Sequence, residues 1–194
     1  MIPGIAASSP YSAPVLPTVT WNTGDKSPSI VLSGGDLIAT KTGSNEHAVV
    51  RATHKVVGRK YFEIYISSVG RSPFMVVGVT NPGASLSDYI GAGADGWGYY
   101  QETGNKLHEG DAGAYGASFA GLGTVIGVAV DADAGEIEFF RDGVSQGVAF
   151  TNLSGDLFPA ASLWLGSGGH IIGGRFKSET FSHTPPAGYG PMGG

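Results

Sequence analysis

Residues 124–150, TVIGVAVDADAGEIEFFRDGVSQGVAF, decide the fold. Val125, Ile126, Val128 and Val130 are β-branched, and such side chains suit a pleated, half-buried surface. The turn-rich stretch Asp131 to Gly135 separates that run from Glu136 to Arg141. There Ile137 and Phe139 alternate with Glu138 and Phe140, the two-residue period of a strand with one face toward a core and one mixed face. Asp142-Gly143 tolerates the positive φ that a type I′ turn demands, so Glu136 to Arg141 and Val144 to Phe150 form a tight hairpin.

The same grammar repeats on either side. Further candidate strands are Ser29 to Leu32, Leu37 to Thr40, Ala48 to Thr53, Lys60 to Ser67, Phe74 to Thr80, Gly98 to Tyr100, Lys106 to Glu109, Thr124 to Asp131, Leu157 to Leu165 and His170 to Phe176. No stretch sustains a 3.6-residue apolar period over three turns, which predicts an all-β chain. Glycine takes 33 of the 194 positions and charged residues only 14%, yet 41% of residues are hydrophobic, so the glycines punctuate strands in a chain that builds a core. The length suits one domain. The expected boundaries are an extended Pro-rich arm over residues 1–20, a sandwich over 21–190 and a short tail over 191–194.

Several blocks together resemble the SPRY domain family, from about Trp21 to Tyr189. They are Gly58-Arg-Lys-Tyr-Phe-Glu-Ile-Tyr-Ile66, Met75-Val-Val-Gly-Val79, Gly96-Trp-Gly-Tyr99, Lys106-Leu-His-Glu-Gly110, Val125-Ile-Gly-Val-Ala-Val-Asp131, Glu136-Ile-Glu-Phe-Phe-Arg-Asp-Gly143, Gly147-Val-Ala-Phe150 and Leu157-Phe-Pro-Ala-Ala-Ser-Leu163, in the family's order and with comparable spacing. The chain departs from the pattern in the Gly-rich Ile171 to Phe176 and in its short connection from Val79 to Trp97. The resemblance implies a bent two-sheet antiparallel β-sandwich without catalytic residues or cofactor, which binds peptides or proteins on a loop-lined surface.

For the binding surface the resemblance points to Tyr89, upstream of the GWG block, and to Trp164, after the FPAAS strand. Leu163 and Gly166 flank that tryptophan in SLWLGSGG. Asn45 and Glu46, in TGSNEH ahead of a strand, are expected as hydrogen-bonding groups on an opposite wall. In the N-terminal arm, Pro3, Pro10, Pro14 and Pro17 favour extended backbone, and Ile2, Ile5, Tyr11, Val15 and Leu16 would supply its docking contacts.

Other chemistries find little support. A net charge of −5 with no basic cluster beyond KVVGRK argues against nucleic acid. The chain has no cysteine, which excludes disulfides and thiolate sites. Gly91-Ala-Gly-Ala-Asp-Gly96 spells GxGxxG but is followed by Trp-Gly-Tyr-Tyr rather than a helix, so it is no dinucleotide fingerprint. Four carboxylates from Asp131 to Glu138 lack the ligand order of a calcium loop, and the five histidines lack zinc spacing. Neither signal peptide nor membrane span is recognisable, so a soluble protein is expected.

These readings combine into a non-catalytic interaction module. Its small-residue composition and Pro-rich arm suggest a decoration or attachment protein of a phage particle, in which a homo-oligomer is plausible. The alternative is a carbohydrate-binding module, with Trp164, Tyr89, Tyr99 and Tyr100 stacking on sugar rings.

Overall fold

The computed structural model describes residues 15–43, 45–69, 74–164 and 169–194. The strands in chain order are β1 (Trp21–Lys26), β2 (Ile30–Ser33), β3 (Ile38–Lys41), β4 (His47–Ala52), β5 (Arg59–Ser68), β6 (Met75–Thr80), β7 (Gly96–Tyr100) and β8 (Lys106–His108). They continue with β9 (Asp111–Gly113), β10 (Val125–Asp131), β11 (Glu136–Arg141), β12 (Val144–Phe150), β13 (Phe158–Trp164), β14 (Ile171–Arg175) and β15 (Gly190–Pro191). A single 3-10 turn, Ser178–Thr180, is the helical content of the described residues, among which no helix is long and apolar enough to cross a membrane.

Two sheets stack face to face. Sheet A runs β1-β4-β13-β6-β7-β8-β9, and sheet B runs β12-β11-β10-β5-β14-β3-β2, with every neighbouring pair antiparallel. The short β15 adds to sheet B by pairing parallel with β5. The expected hairpin of β11 and β12 forms, with Arg141 opposite Val144, Phe140 opposite Ser145 and Ile137 opposite Phe150 and an irregular register between, and Asp142 and Gly143 both sit at positive φ, 49° and 79°. Strand alternation fills the space between the sheets. Ala48, Val50, Met75, Val77, Val79, Trp97, Tyr99, Ala161 and Leu163 point in from sheet A, against Phe62, Ile64, Ile66, Ile126, Val128, Val130, Ile137 and Phe139 from sheet B. Trp21 is fully buried here, its indole N–H donating to the Leu37 carbonyl at 3.0 Å and its ring meeting Phe176 edge-on.

Each outer face is covered differently. On sheet B, Tyr61 and Glu63 of β5 point outward yet are buried, because the C-terminal segment after β14 lies across them. The buried Glu63 carboxylate accepts from the backbone N–H groups of Ser182 (2.7 Å) and His183 (2.9 Å), from the Tyr61 hydroxyl (3.2 Å) and from Arg175 Nη1 (3.3 Å). Phe181 packs edge-on against Tyr61. On sheet A, the connection over residues 81–95 lies on the outward positions of β6, β7 and β13. Gly96 and Gly98 make room for it, since a Cβ at Gly98 would stand 2.3 Å from Val76 and 3.1 Å from Ile90. The intervening Trp97 and Tyr99 face the core.

Both chain ends pack on the sandwich. Val19 is buried in the core, Thr20 N–H donates to Thr53 Oγ1, and the Pro17 carbonyl accepts from Gly194 N–H. Met192 is buried, Gly193 N–H donates to the Phe176 carbonyl, and Lys60 Nζ donates to the Pro191 carbonyl.

A candidate peptide-binding face

Parity along three neighbouring strands gathers aromatic side chains at one end of sheet A's outer face. In β13, Ala161 and Leu163 face the core, so Trp164 faces out. In β4, Ala48 and Val50 face in, so His47 faces out, directly opposite Trp164 in the ladder. Phe74, one residue ahead of β6, shares the side of Val76, and Tyr100 ends β7 on that side. Tyr89 comes down onto them from the 81–95 connection. That connection is pinned where Ile90 N–H donates to Ser162 Oγ at 3.2 Å and Val49 N–H to the Leu86 carbonyl at 3.0 Å.

The rings form one connected patch. His47 lies 4.5 Å from Phe74, 4.6 Å from Trp164 and 5.3 Å from Tyr89, centroid to centroid, and Phe74 lies 4.6 Å from Tyr100. All five are partly exposed, and all pack at angles of 45–65°, within the range of aromatic pair geometries. Below them Val76, Ile90, Leu107 and Ala160 make a small apolar cluster separate from the main core. A shallow hollow of about 220 Å³ opens beside Phe74, Tyr89 and Tyr100 toward Asn105, Leu107 and Ala112. A partly exposed aromatic surface on a rigid sheet is the form of an interaction hot spot.

Electrostatics keep the patch neutral. Burial holds the His47 imidazole below its ordinary range, against the opposing field of Asp88, and His47 Nδ1 is buried without a hydrogen-bond partner. Burial, and then the hydrogen bond to Glu102 at 2.5 Å, keep the Tyr100 phenol protonated far above neutral pH.

The structure places Tyr89 and Trp164 together, bridged by His47. Leu163 differs from its expected role: its side chain is wholly buried between the sheets, so it supports Trp164 from behind instead of presenting a contact. Gly166 lies outside the described residues, as do Ile2, Ile5 and Tyr11 of the arm. Of the remaining arm positions, Val15 is almost wholly exposed and Leu16 partly so. Asn45 is exposed in the bend ahead of β4, while Glu46 is engaged by Ser29 Oγ and lies 3.9 Å from Lys41 Nζ. Tyr99 is also displaced from its expected place, being a core residue that no sugar could reach. His47 and Phe74 were not among the expected site residues, and Tyr100 was expected only in a sugar-stacking platform. Phe74 and Tyr100 were visible as ends of candidate strands, but His47 becomes a site residue only through the β4–β13 pairing.

The acidic turn after β10 is accounted for structurally. Asp131 Oδ1 accepts from the backbone N–H of Asp133 (3.1 Å) and Ala134 (3.0 Å), and Oδ2 accepts from Arg59 Nε (2.7 Å), contacts that hold this carboxyl below its usual range. His108 stacks on Trp97 and its Nδ1 meets the Gly96 carbonyl at 2.8 Å.

Comparison with known proteins agrees with the fold. The chain is 31% identical over 173 residues to Ran-binding protein 9 of Xenopus tropicalis, covering 85% of this chain and 31% of that protein. It is also 31% identical to Ran-binding protein 10 of Danio rerio and 30% identical to the Ran-binding proteins 9/10 homolog of Drosophila melanogaster, covering 28% and 17% of those proteins. The chain thus spans about a third of the curated relatives' length, or less. The solved SPRY domain of human HERC1 superposes with a TM-score of 0.70 at 19% identity, over 80% of this chain and 96% of that one. A second human SPRY domain superposes at 0.67, with 20% identity, over 76% and 94%. None of these likenesses supports the expectation of a phage particle or of sugar binding. The family model of the SPRY domain matches residues 59–176, more than half of the chain and the whole run from β5 through β14: the chain belongs to the SPRY domain family.

Proposed function

We propose that this chain is a non-catalytic protein-interaction module that captures a short peptide segment of its partner on the aromatic patch of His47, Phe74, Tyr89, Tyr100 and Trp164. The observation that carries this reading is the convergence of five partly exposed rings, supplied by separate segments, on one face of a rigid sheet. The relatives named for Ran binding fit a protein partner. The mutual tilt of the rings favours a peptide over a sugar, because sugar stacking wants an open, flat ring face, whereas these faces are turned onto one another.

Panning a random-peptide display library on the immobilised chain tests this. Selected peptides share a consensus, and their affinity falls roughly 30-fold or more on Trp164→Ala, and comparably on Tyr89→Ala, with the thermal midpoint nearly unchanged. Peptides that bind both variants as tightly as the original chain would sink the reading.

A further inference from the structure

We infer that the cavity beside Tyr89 is a specificity pocket for a basic side chain, lysine or arginine, of the peptide held on the aromatic patch. The inference rests on that peptide-binding reading and adds the chemistry of one of the partner's residues.

The cavity, about 230 Å³, lies between sheet A and the 81–95 connection, and its lining includes Thr80, Asp88, Tyr89 and Asp95. Tyr89 lines both this cavity and the hollow beside Phe74, so the two lie on either side of one residue. Pockets for whole small-molecule ligands run from roughly 300 to 1,000 Å³, and this one has room for a single long side chain.

Two carboxylates line it and no cation does. Asp88 spends one oxygen on the Tyr89 backbone N–H at 2.8 Å, and among the described residues neither Asp88 nor Asp95 has an ion-pair partner within 4 Å. The Arg51 guanidinium, which holds the same connection, is already committed: Nε donates to Asp25 at 2.9 Å, and the terminal nitrogens donate to the carbonyls of Pro82 and Ala84 at 3.0–3.1 Å. His47, on the Asp88 side, is held toward its neutral form by burial.

An independent feature asks for a donor. Thr80 is on the outward side of β6, since Met75, Val77 and Val79 face the core, and it forms part of the cavity wall. Its hydroxyl oxygen is buried and has no hydrogen-bond partner. A buried hydroxyl without a partner is a costly exception in a folded protein, and an entering ammonium or guanidinium brings several donors at once. Carboxylates at the mouth, a hydroxyl in the wall and an apolar ring for the side-chain stem together match the bimodal character of lysine and arginine, with an apolar stem and a charged head.

The test compares peptides selected by panning on the original chain with those selected on the Asp88→Asn/Asp95→Asn double variant, whose substitutions are exposed and isosteric. The expected consensus on the original chain pairs an apolar anchor with Lys or Arg at fixed spacing, and the double variant loses the basic position but keeps the anchor. A synthetic peptide of that consensus binds the double variant about tenfold more weakly, and raising sodium chloride weakens its binding to the original chain but hardly changes binding to the variant. An apolar consensus with no basic position, or a basic position that survives in the double variant, overturns the pocket while leaving the peptide face standing. Peptide displacement by calcium chloride alone would make the cavity a metal site and also overturn it. No consensus at all on the original chain overturns the peptide reading itself.

Discussion

The two outer faces of this sandwich start from the same strand alternation and end as opposites. Sheet B's outer face is closed by the chain's own C-terminal segment, and its central polar group, Glu63, has four donors on its two oxygens. On sheet A's outer face, among the described residues, the 81–95 connection covers one part and leaves rings partly exposed and polar atoms such as Thr80 Oγ1 and His47 Nδ1 without partners. A satisfied, buried face contributes to stability, whereas an unsatisfied one is suited to binding. Function is to be sought on the side that the fold has left incomplete.

The largest effect expected from this contrast is on the closed side. Glu63→Gln replaces one acceptor oxygen with an NH₂ that faces one of the Ser182 and His183 N–H groups donor to donor, and it leaves the largely buried Arg175 guanidinium without its counter-ion. A loss of about 3 kcal/mol in urea unfolding follows, with faster amide exchange at Ser182 and His183, and peptide binding on the opposite sheet is unaffected. An unchanged unfolding midpoint would show that the C-terminal segment is held by something else.

Trp164→Ala is the mirror experiment. The ring is partly exposed and rests on neighbours outside the main core, so peptide affinity drops by about 2 kcal/mol or more while folding stability changes less than that. Should stability fall as far as affinity, the open face would be a structural face after all. A smaller effect of opposite sign is expected at Thr80. Thr80→Val removes the unpartnered hydroxyl at nearly constant shape and raises stability by about 1 kcal/mol in the free protein, while weakening the peptides that carry the basic residue.

The same contrast explains what the sequence made legible. The twelve candidate strands all exist, two with the expected ends and the others displaced by at most two residues, because β-branched and aromatic alternation reports directly on a buried face. β1 escaped notice because WNTGDK has no alternation and its pairing with β4 is irregular, from Trp21 opposite Ala52 to Lys26 opposite Val50. The closed face was illegible for a different reason. Residues 177–194 are rich in Gly, Pro and Ser and look like a loop, yet they are held by Glu63 and Lys60, more than a hundred residues earlier. On the open face Tyr89 and Trp164 came from the family resemblance, whereas His47 depends on lying opposite Trp164 in β13, a non-local pairing that no local pattern encodes.

That pairing yields the finest test of the comparison, through pH. Burial disfavours the His47 imidazolium in the folded protein, so its folded pKa lies below the value of about 6.5 that the unfolded chain provides. Between those two values the unfolded state binds more protons than the folded state, so stability is complete above about pH 6.5 and declines as the pH falls through the window. Asp88 opposes the effect, and the Phe74 and Trp164 rings beside His47 do not titrate. A bound peptide that covers the patch desolvates His47 further and steepens the dependence, so peptide affinity also falls on acidification. Urea unfolding and peptide titrations at about pH 8 and about pH 5, on the original chain and on His47→Phe, isolate this residue from the other acid-titrating groups. The difference between the two proteins shrinks or reverses at the lower pH if the open face carries the acid sensitivity; parallel behaviour would assign that sensitivity elsewhere.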